Sequence, residues 1–581
     1  MLQEPRCAIF AIMKTMGKKL PAFVFYGLLF LIFILEGWGL PNNRTISFHA
    51  ILFAPLVLFS IPFLSREKEI VLPSRITITL LLLLLVIFAT TLYAVDIGKA
   101  FEHRLLYVSI VLVSLYVYHY QNILTKYFAE FITMITVTTA LYGIFITYYL
   151  PKSWYFLMPA GHFQFILPTQ GIGHDTRGVL VLLPLSFLLG IIFHKPSRTK
   201  IVATIALSLI LASSLLRAGY LAALAAAVIN VKHWHHISKK QLAGRKYSIA
   251  IATIFLGSMF FLTMAMGTIP EIAAKKSTVM TRVSILEQAL KSIVSRPLTG
   301  VGSFDYYYAS LQHAKDMRTI VGSSHNILLD FAVENGIPAA IFFAISILLV
   351  FKNSRHILTE QPSNKQGILA VFTALFVLFF FSHYHKMYFL LIFFFINGAL
   401  IYREKQEIKV SINWIGVVVI LVTITNLYLI AARLALQSGN PEKALSIYPI
   451  YAAAYQYAAA NAFNDKDYVR LDRYLGQYEF FYPHNPLVLE FIAGMYKSIP
   501  DYPKTFEYYH KALLYSPLEY NYLYEIYNSA EQIHEREASI IFIQYHIKKY
   551  HLITLNYLDQ DTQDFLTWCE QNGIDCAETE H

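Results

Sequence analysis

Charge is what this chain has least of. Asp, Glu, Lys and Arg together make up 14% of its 581 residues, against roughly a quarter in a soluble globular domain. That shortage excludes an ordinary water-soluble enzyme. Acid is scarcer than base, 37 residues against 47, so the formal net charge is +10. No soluble segment carries a basic patch, so the surplus does not point to nucleic acid, and no such partner is expected. Cysteine is rarer still, at three. Cys7 is expected in the cytoplasm. Cys569 and Cys576 either pair in an oxidising compartment or stay as free thiols on a terminal helix. Residues 1–20 lack the small-residue cleavage site of a signal peptide, and the first apolar stretch is long enough to span.

What the chain has in abundance is apolar length. It is 56% hydrophobic and 15% aromatic, with mean hydropathy +0.49. Runs of about 17–25 apolar residues cross a bilayer as helices. Thirteen such runs are expected: 21–38, 48–64, 76–94, 105–120, 128–150, 176–194, 201–217, 218–231, 249–268, 337–351, 367–383, 387–402 and 412–431. The fold expected is therefore all-α: a polytopic membrane domain of about 12–13 helices over 1–432, then a helical domain over 433–581.

Basic residues orient these spans. Lys18, Lys19, Arg66, Lys68, Lys195, Arg198, Lys200, Lys352, Arg355, Arg403 and Lys405 all fall in alternate connections, as does the cluster from Lys232 to Lys246. Short cytoplasmic loops collect Lys and Arg. The N-terminus is then cytoplasmic, and the loop 269–336 and the tail lie outside.

The tail carries an internal period. Pro449, Pro483 and Pro517 are each 34 residues apart. Ala444 and Ala512 sit five residues before their prolines, with Tyr478 in the middle unit. In the last unit Leu489, Ile492, Ala493, Tyr496, Tyr509, Ala512 and Pro517 fall on the tetratricopeptide template, with Thr505 the exception. Helix-turn-helix units with this period read as a tetratricopeptide-like array. A protein partner, or the membrane domain's outer face, is the expected contact.

Ionisable residues at membrane boundaries are expensive to keep and often functional. Those expected on the outer side are Arg177, Arg217, Arg282 and His325. Arg217 closes the run from Ser213. Arg282 lies in an amphipathic helix with apolar positions 283, 285, 286, 290 and 293, and is expected in its first turn, where a bound anion would offset the helix dipole. The turn Pro297-Leu-Thr-Gly300-Val-Gly302-Ser-Phe304 follows. It has neither the preceding strand nor the spacing of a dinucleotide loop. Ser323-Ser324-His325-Asn326 then opens an apolar span holding Glu334. A histidine titrates near neutrality and can move a proton there. Its bland reading is a ring satisfied by backbone, with Ser323 or Ser324 as the helix cap.

Together, Ser324-His325-Asn326 with Glu334-Asn-Gly336-Ile337-Pro338, the stretch 282–304, and the Ser213-to-Arg217 close resemble the O-antigen ligase, O-antigen polymerase and O-oligosaccharyltransferase superfamily over residues 70–400. That resemblance implies a membrane glycosyltransferase of the GT-C-like kind in the bacterial inner membrane. It would act at the periplasmic face without cofactor or metal and with inversion. The donor would be a glycan on undecaprenyl pyrophosphate, and the acceptor a hydroxyl of lipid A-core. A pilin-type protein acceptor or a second lipid-linked glycan are alternatives, and the repeat tail leans toward a protein. Arg217 and Arg282, with Arg177 as a third, would hold the diphosphate, since guanidinium forks suit phosphate. His325 would be the general base. Asn326 and Glu334 would orient it or the acceptor, unless they are structural. A transporter or flippase predicts repeated halves and broken midplane helices, which the sequence does not display. A membrane-anchored scaffold would leave the arginines and the histidine unexplained.

Overall fold

The computed structural model describes residues 4–37, 43–65, 67–149, 174–192, 197–213, 217–231, 277–314, 319–358, 364–550, 560–574 and 576. Helices carry nearly all of these. The first group is α1 (Glu4–Gly37), α2 (Asn43–Leu64), α3 (Ser74–Ala89), α4 (Ile97–His119), α5 (Gln121–Tyr149), α6 (His174–Ile192), α7 (Arg198–Ser213) and α8 (Arg217–Val231). After the long loop come α9 (Ser277–Ser295), α10 (Tyr306–His313), α11 (Ile327–Asn353), α12 (Asn364–Phe381), α13 (Tyr388–Ile401) and α14 (Ile412–Gln437). Among the described residues, 7 helices are long and apolar enough to cross a membrane, and the apolar cores of α6, α8 and α13 are shorter. Every expected span falls on one of the fourteen helices above except 249–268, which lies outside the described residues; 128–150 and 201–217 fall on α5 and α7, which are not among the ten just counted. The chain is an all-α, polytopic membrane protein.

α4 is the most enclosed of the long helices. It packs against α2, α3 and α13. Its Arg104 is fully buried, which a span tolerates only when every donor is used. Nε donates to the Ile87 carbonyl at 2.6 Å, and one terminal nitrogen donates to Ala100 O at 2.7 Å. The other reaches Thr90 Oγ1 at 3.3 Å. The guanidinium thereby ties the end of α3 to the first turn of α4.

Two short strands are the exception to helix. β1 (Glu69–Pro73) pairs antiparallel with β2 (Glu407–Ser411), with Glu69 opposite Ser411. The ribbon joins two basic connections that positive charge had already assigned to one side. The opposite end of the bundle gathers the starts of α4, α11 and α13 and the end of α12.

The tail has eight described helices: α15 (Pro441–Ile447), α16 (Ala452–Asn464), α17 (Tyr468–Phe481), α18 (Pro486–Ser498), α19 (Tyr502–Tyr515), α20 (Tyr520–Gln532), α21 (Arg536–Tyr550) and α22 (Gln560–Gln571). Pro449, Pro483 and Pro517 stand just beyond the ends of α15, α17 and α19, where a residue without an N–H stops helix growth. Asp467 and Asp501 cap α17 and α19 by accepting from Arg470 N and Lys504 N. Cys569 and Cys576 are disulfide-bonded, with Cα atoms 6.1 Å apart. The tail is docked onto the membrane bundle. Tyr448 donates to the Gly98 carbonyl at 2.9 Å, and Asn485 Nδ2 donates to Tyr308 Oη at 2.9 Å. Ile97, Ala314 and Ile320 join its hydrophobic core.

Candidate active site

The Gly-Val-Gly turn and the Glu-Asn-Gly-Ile-Pro segment, separated in sequence, form one clasp. α11 breaks at Gly336 (φ 81°, ψ 166°). Pro338 has no N–H to give the Glu334 carbonyl four residues back. The Ile337 N–H turns away to Pro297 O at 2.8 Å, which frees the carbonyl of Val333 as well. Buried carbonyls need donors, and the glycine turn supplies them: Val301 N–H to Val333 O and Gly302 N–H to Glu334 O, both 2.9 Å. Backbones can approach this closely only without side chains. A Cβ on Gly300 would strike the Glu334 backbone, and one on Gly336 the Leu298 backbone. Val95 N–H to Val301 O at 2.7 Å then fastens the turn to the start of α4.

Directly above the clasp lies the Ser-Ser-His-Asn loop, organised by Asp330. This carboxylate is buried in the first turn of α11. Its Oδ2 accepts from Ser323 Oγ at 2.6 Å and from His385 Nε2 at 2.8 Å. Its Oδ1 accepts from Ser324 N–H at 2.7 Å. Asn326, rather than either serine, caps α11: its Oδ1 accepts from Leu328 N–H at 3.0 Å and Leu329 N–H at 3.2 Å. The loop so held places His325 at φ 61°, a left-handed conformation that non-glycine residues adopt only when the surroundings impose it.

Around His325 stand groups from three elements. The His383 ring meets it edge-on, with centroids 5.3 Å apart and planes at 74°. Among the described residues neither ring nitrogen of His325 is hydrogen-bonded. Burial first, then repulsion from His383 and Arg282, pushes its pKa down to about 4, against the opposing pull of Asp330. The imidazole is therefore neutral at pH 7 and keeps a lone pair. Arg282 of α9 is thus near enough to act on His325 electrostatically. Arg282 is exposed and forms no ion pair among the described residues.

α9 itself departs from expectation. It begins at Ser277, so Arg282 lies in its second turn, and the dipole argument for an anion there lapses. The apolar face also divides: Ile285 and Ala289 are buried with Gln288 and Ser292, whereas Val283, Leu286, Leu290 and Val294 are exposed. Gln288 Nε2 donates to Thr319 Oγ1 at 2.6 Å, which binds α9 to the chain entering the His325 loop.

Glu334 is engaged within the protein. It is buried and ion-paired to Lys386. Lys386 also lies 3.9 Å from Asp330 and 4.7 Å from the centre of the Phe304 ring. His383, His385 and Lys386 belong to the short connection between α12 and α13, around a 3₁₀ turn at Tyr384–Lys386. They are neighbours of His325, Asp330 and Glu334 that sequence reasoning passed over. The signal was present: a six-residue connection holding two histidines and a lysine between apolar runs.

The remaining two arginines are placed by backbone alone. Gly190 near the end of α6 packs on Gly367 near the start of α12. The two helices are thus antiparallel, and Arg177 near the start of α6 lies at the His383 end. α7 and α8 follow as successive hairpins, so Arg217, the first residue of α8, returns to that same end. The side chains of Arg177 and Arg217 lie outside the described residues.

Comparison with known proteins agrees with this geometry. Residues 202–344 match the family model described as O-antigen ligase. The match takes in Arg217, Arg282, the glycine clasp and His325. It stops before the His383–Lys386 connection and the tail. No curated protein matches the chain. Glycine clasp, histidine loop and family match coincide on one stretch of chain: over residues 202–344 this membrane protein is similar to the O-antigen ligase family.

Proposed function

We propose that this chain transfers a glycan from undecaprenyl pyrophosphate to an acceptor hydroxyl, that of lipid A-core, on the periplasmic face of a bacterial inner membrane. The observation that carries the reading is the position of His325, held at φ 61° against the His383 ring and without a ring hydrogen bond among the described residues, at the bundle end where α6 and α8 begin. The acceptor oxygen attacks the anomeric carbon while its proton passes to His325. The bond from that carbon to the diphosphate oxygen breaks, and the electron pair leaves with polyprenyl diphosphate. Arg217 and Arg282, with Arg177 behind them, take up the charge that develops there. The reaction needs no cofactor, and the arginines supply the positive charge that a metal would otherwise bring. Asn326 and Glu334 act by holding the loop and the clasp.

A periplasmic tail is supported by the Cys569–Cys576 bond, since such bonds persist in oxidising compartments. The basic β1–β2 end is then cytoplasmic, and the division near residue 432 separates the membrane domain from a tetratricopeptide-like domain. A second reading, with a serine or threonine of a pilin-like protein as acceptor, is favoured by one observation: the tail sits on the outer end of the bundle through Tyr308 and Gly98, within reach of a protein bound there. A polymerase, with a lipid-linked glycan as acceptor, uses the same donor chemistry.

The test is a deletion strain complemented with wild type or His325→Ala. Lipopolysaccharide and periplasmic glycoproteins are examined in parallel. Loss of glycan-capped lipopolysaccharide alone supports the ligase, and loss of glycoproteins alone supports the protein transferase. Normal profiles of both in His325→Ala would overturn the mechanism.

A further inference from the structure

At the membrane end opposite His325 lies a polar cavity of about 880 Å³. Six helices border it, α3, α4, α5, α11, α12 and α13, and α4, α11, α12 and α13 have their other ends at the site. The 23 residues of α4 separate the two by about 35 Å at 1.5 Å per residue. The cavity therefore lies at the end of the bundle away from His325, apart from the proposed glycan-transfer site. Four cations line it, Arg75, Lys365, Arg403 and Lys405, against two carboxylates, Glu404 and Glu407. Arg75 and Glu404 pair at 3.3 Å. Gln121 also lines the cavity, and its Oε1 is buried without a hydrogen-bond partner.

Beneath the cavity runs a narrow slot of the opposite character. Leu80, Leu115, Phe343, Ile347 and Phe394 line it, with Gly398 keeping it open at α13. Tyr118 and Tyr402 form the boundary. Their rings line the slot, with centroids 6.3 Å apart, while their hydroxyls donate upward to Glu407 at 2.9 Å and Glu404 at 3.1 Å. An apolar body with a polar tip is how tyrosine sits at a membrane interface. A cationic chamber opening onto an apolar slot at the end of a helix bundle has the chemistry of an amphiphile with a phosphate head. Basic pockets between spans on the cytoplasmic side are suited to anionic head groups.

We infer that this cavity and slot form a binding site for an anionic phospholipid, whose phosphodiester lies among Lys365, Arg403 and Lys405 and whose acyl chain enters beside Tyr118 and Tyr402. A lipid head and free phosphate share this chemistry, and the slot distinguishes them. The full chain is reconstituted in nanodiscs of phosphatidylglycerol, of phosphatidylcholine, or of a mixture, and lipid retained after detergent extraction is read by native mass spectrometry. Phosphatidylglycerol should be retained in preference. Retention should weaken about fivefold for each charge removed in Lys365→Gln and Lys405→Gln. Ser346→Phe, which fills the slot and leaves the chamber intact, should also release it, and excess inorganic phosphate should not displace it. Thermal unfolding in phosphatidylcholine discs reports separately on folding, with Ser114→Leu as a second slot variant should Ser346→Phe fail to fold. Equal retention of the two lipids would overturn the inference. So would displacement by phosphate with retention unchanged in the slot variants.

Discussion

His385 donates from Nε2 to Oδ2 of Asp330 across 2.8 Å, in a contact almost wholly withdrawn from solvent. It links the α12–α13 connection to the first turn of α11, 55 residues earlier. Through Asp330 the same contact reaches Ser323 and Ser324, and so fixes the two residues that lead into His325.

Asp330→Ala should accordingly disable the enzyme without touching the proposed base. Leaving buried donors unmatched costs about 1–3 kcal/mol for each group. A fall in glycan transfer of at least tenfold is expected at equal membrane abundance, exceeding that of Asn326→Ala, which removes a helix cap worth about 1 kcal/mol. Asp330→Asn retains acceptor oxygen and should fall between. Abundance is read by immunoblot and transfer by glycan gel.

The low pKa of His325 has a kinetic signature. A base whose pKa lies near 4 is unprotonated above that value and protonated below it. The rate of transfer should be level from about pH 5 to pH 8, with an acid limb well below the ordinary histidine range near 6.5. Removing a repelling neighbour must raise the pKa. His383→Gln should therefore move the acid limb to higher pH, while a merely structural His383 would lower the rate at every pH equally. The pH–rate profiles of wild type and His383→Gln decide it.

Gly336→Ala is expected to unfold the clasp. The position combines φ of 81° with a Cβ that would overlap the Leu298 backbone. Such strain costs of order 1–3 kcal/mol, and more when backbone must move. Gly494→Ala in α18, where nothing lies within 4 Å, should leave stability unchanged or raise it by up to about 1 kcal/mol. Thermal denaturation of the two variants in detergent makes the comparison.

Cys569→Ser should loosen the end of the tail and spare the site. The bonded cysteines are 7 residues apart, and closing so short a loop is worth about 2 kcal/mol. Limited proteolysis should cut earlier near α22 while transfer continues. In intact cells the wild-type thiols should resist alkylation until a reductant is added. Alkylation without reductant would argue against an oxidising location for the tail.

Sequence reasoning succeeds here where the physics is local. Apolar length announces the spans, and the prolines two residues past α15, α17 and α19 announce the turns of the tail. The glycines at 300, 302 and 336 stood out as well, yet their common purpose did not, because the clasp depends on a missing N–H at Pro338 being answered from a turn some thirty residues earlier. Asp330 was hidden for a similar reason. Within its own segment it reads as a first-turn acid that suits the helix dipole, and its partners His385 and Lys386 arrive only after another span. The start of α9 was misplaced because Ser277 offers no amphipathic signal of its own, and that error moved Arg282 into a turn it does not occupy.

The β1–β2 ribbon bears on how the chain is made. β1 leaves the ribosome with the early helices, but Ser411, the partner of Glu69, follows only after most of the membrane domain. At about 5–20 residues per second that interval lasts some tens of seconds. Throughout it, Glu69 to Pro73 presents an unpaired strand edge beside α3 and α4, whose place in the bundle is fixed by contacts still to be synthesised. Closure of the membrane domain is thus a late event. The inserted but unstrapped intermediate is the species that quality control in the membrane would meet.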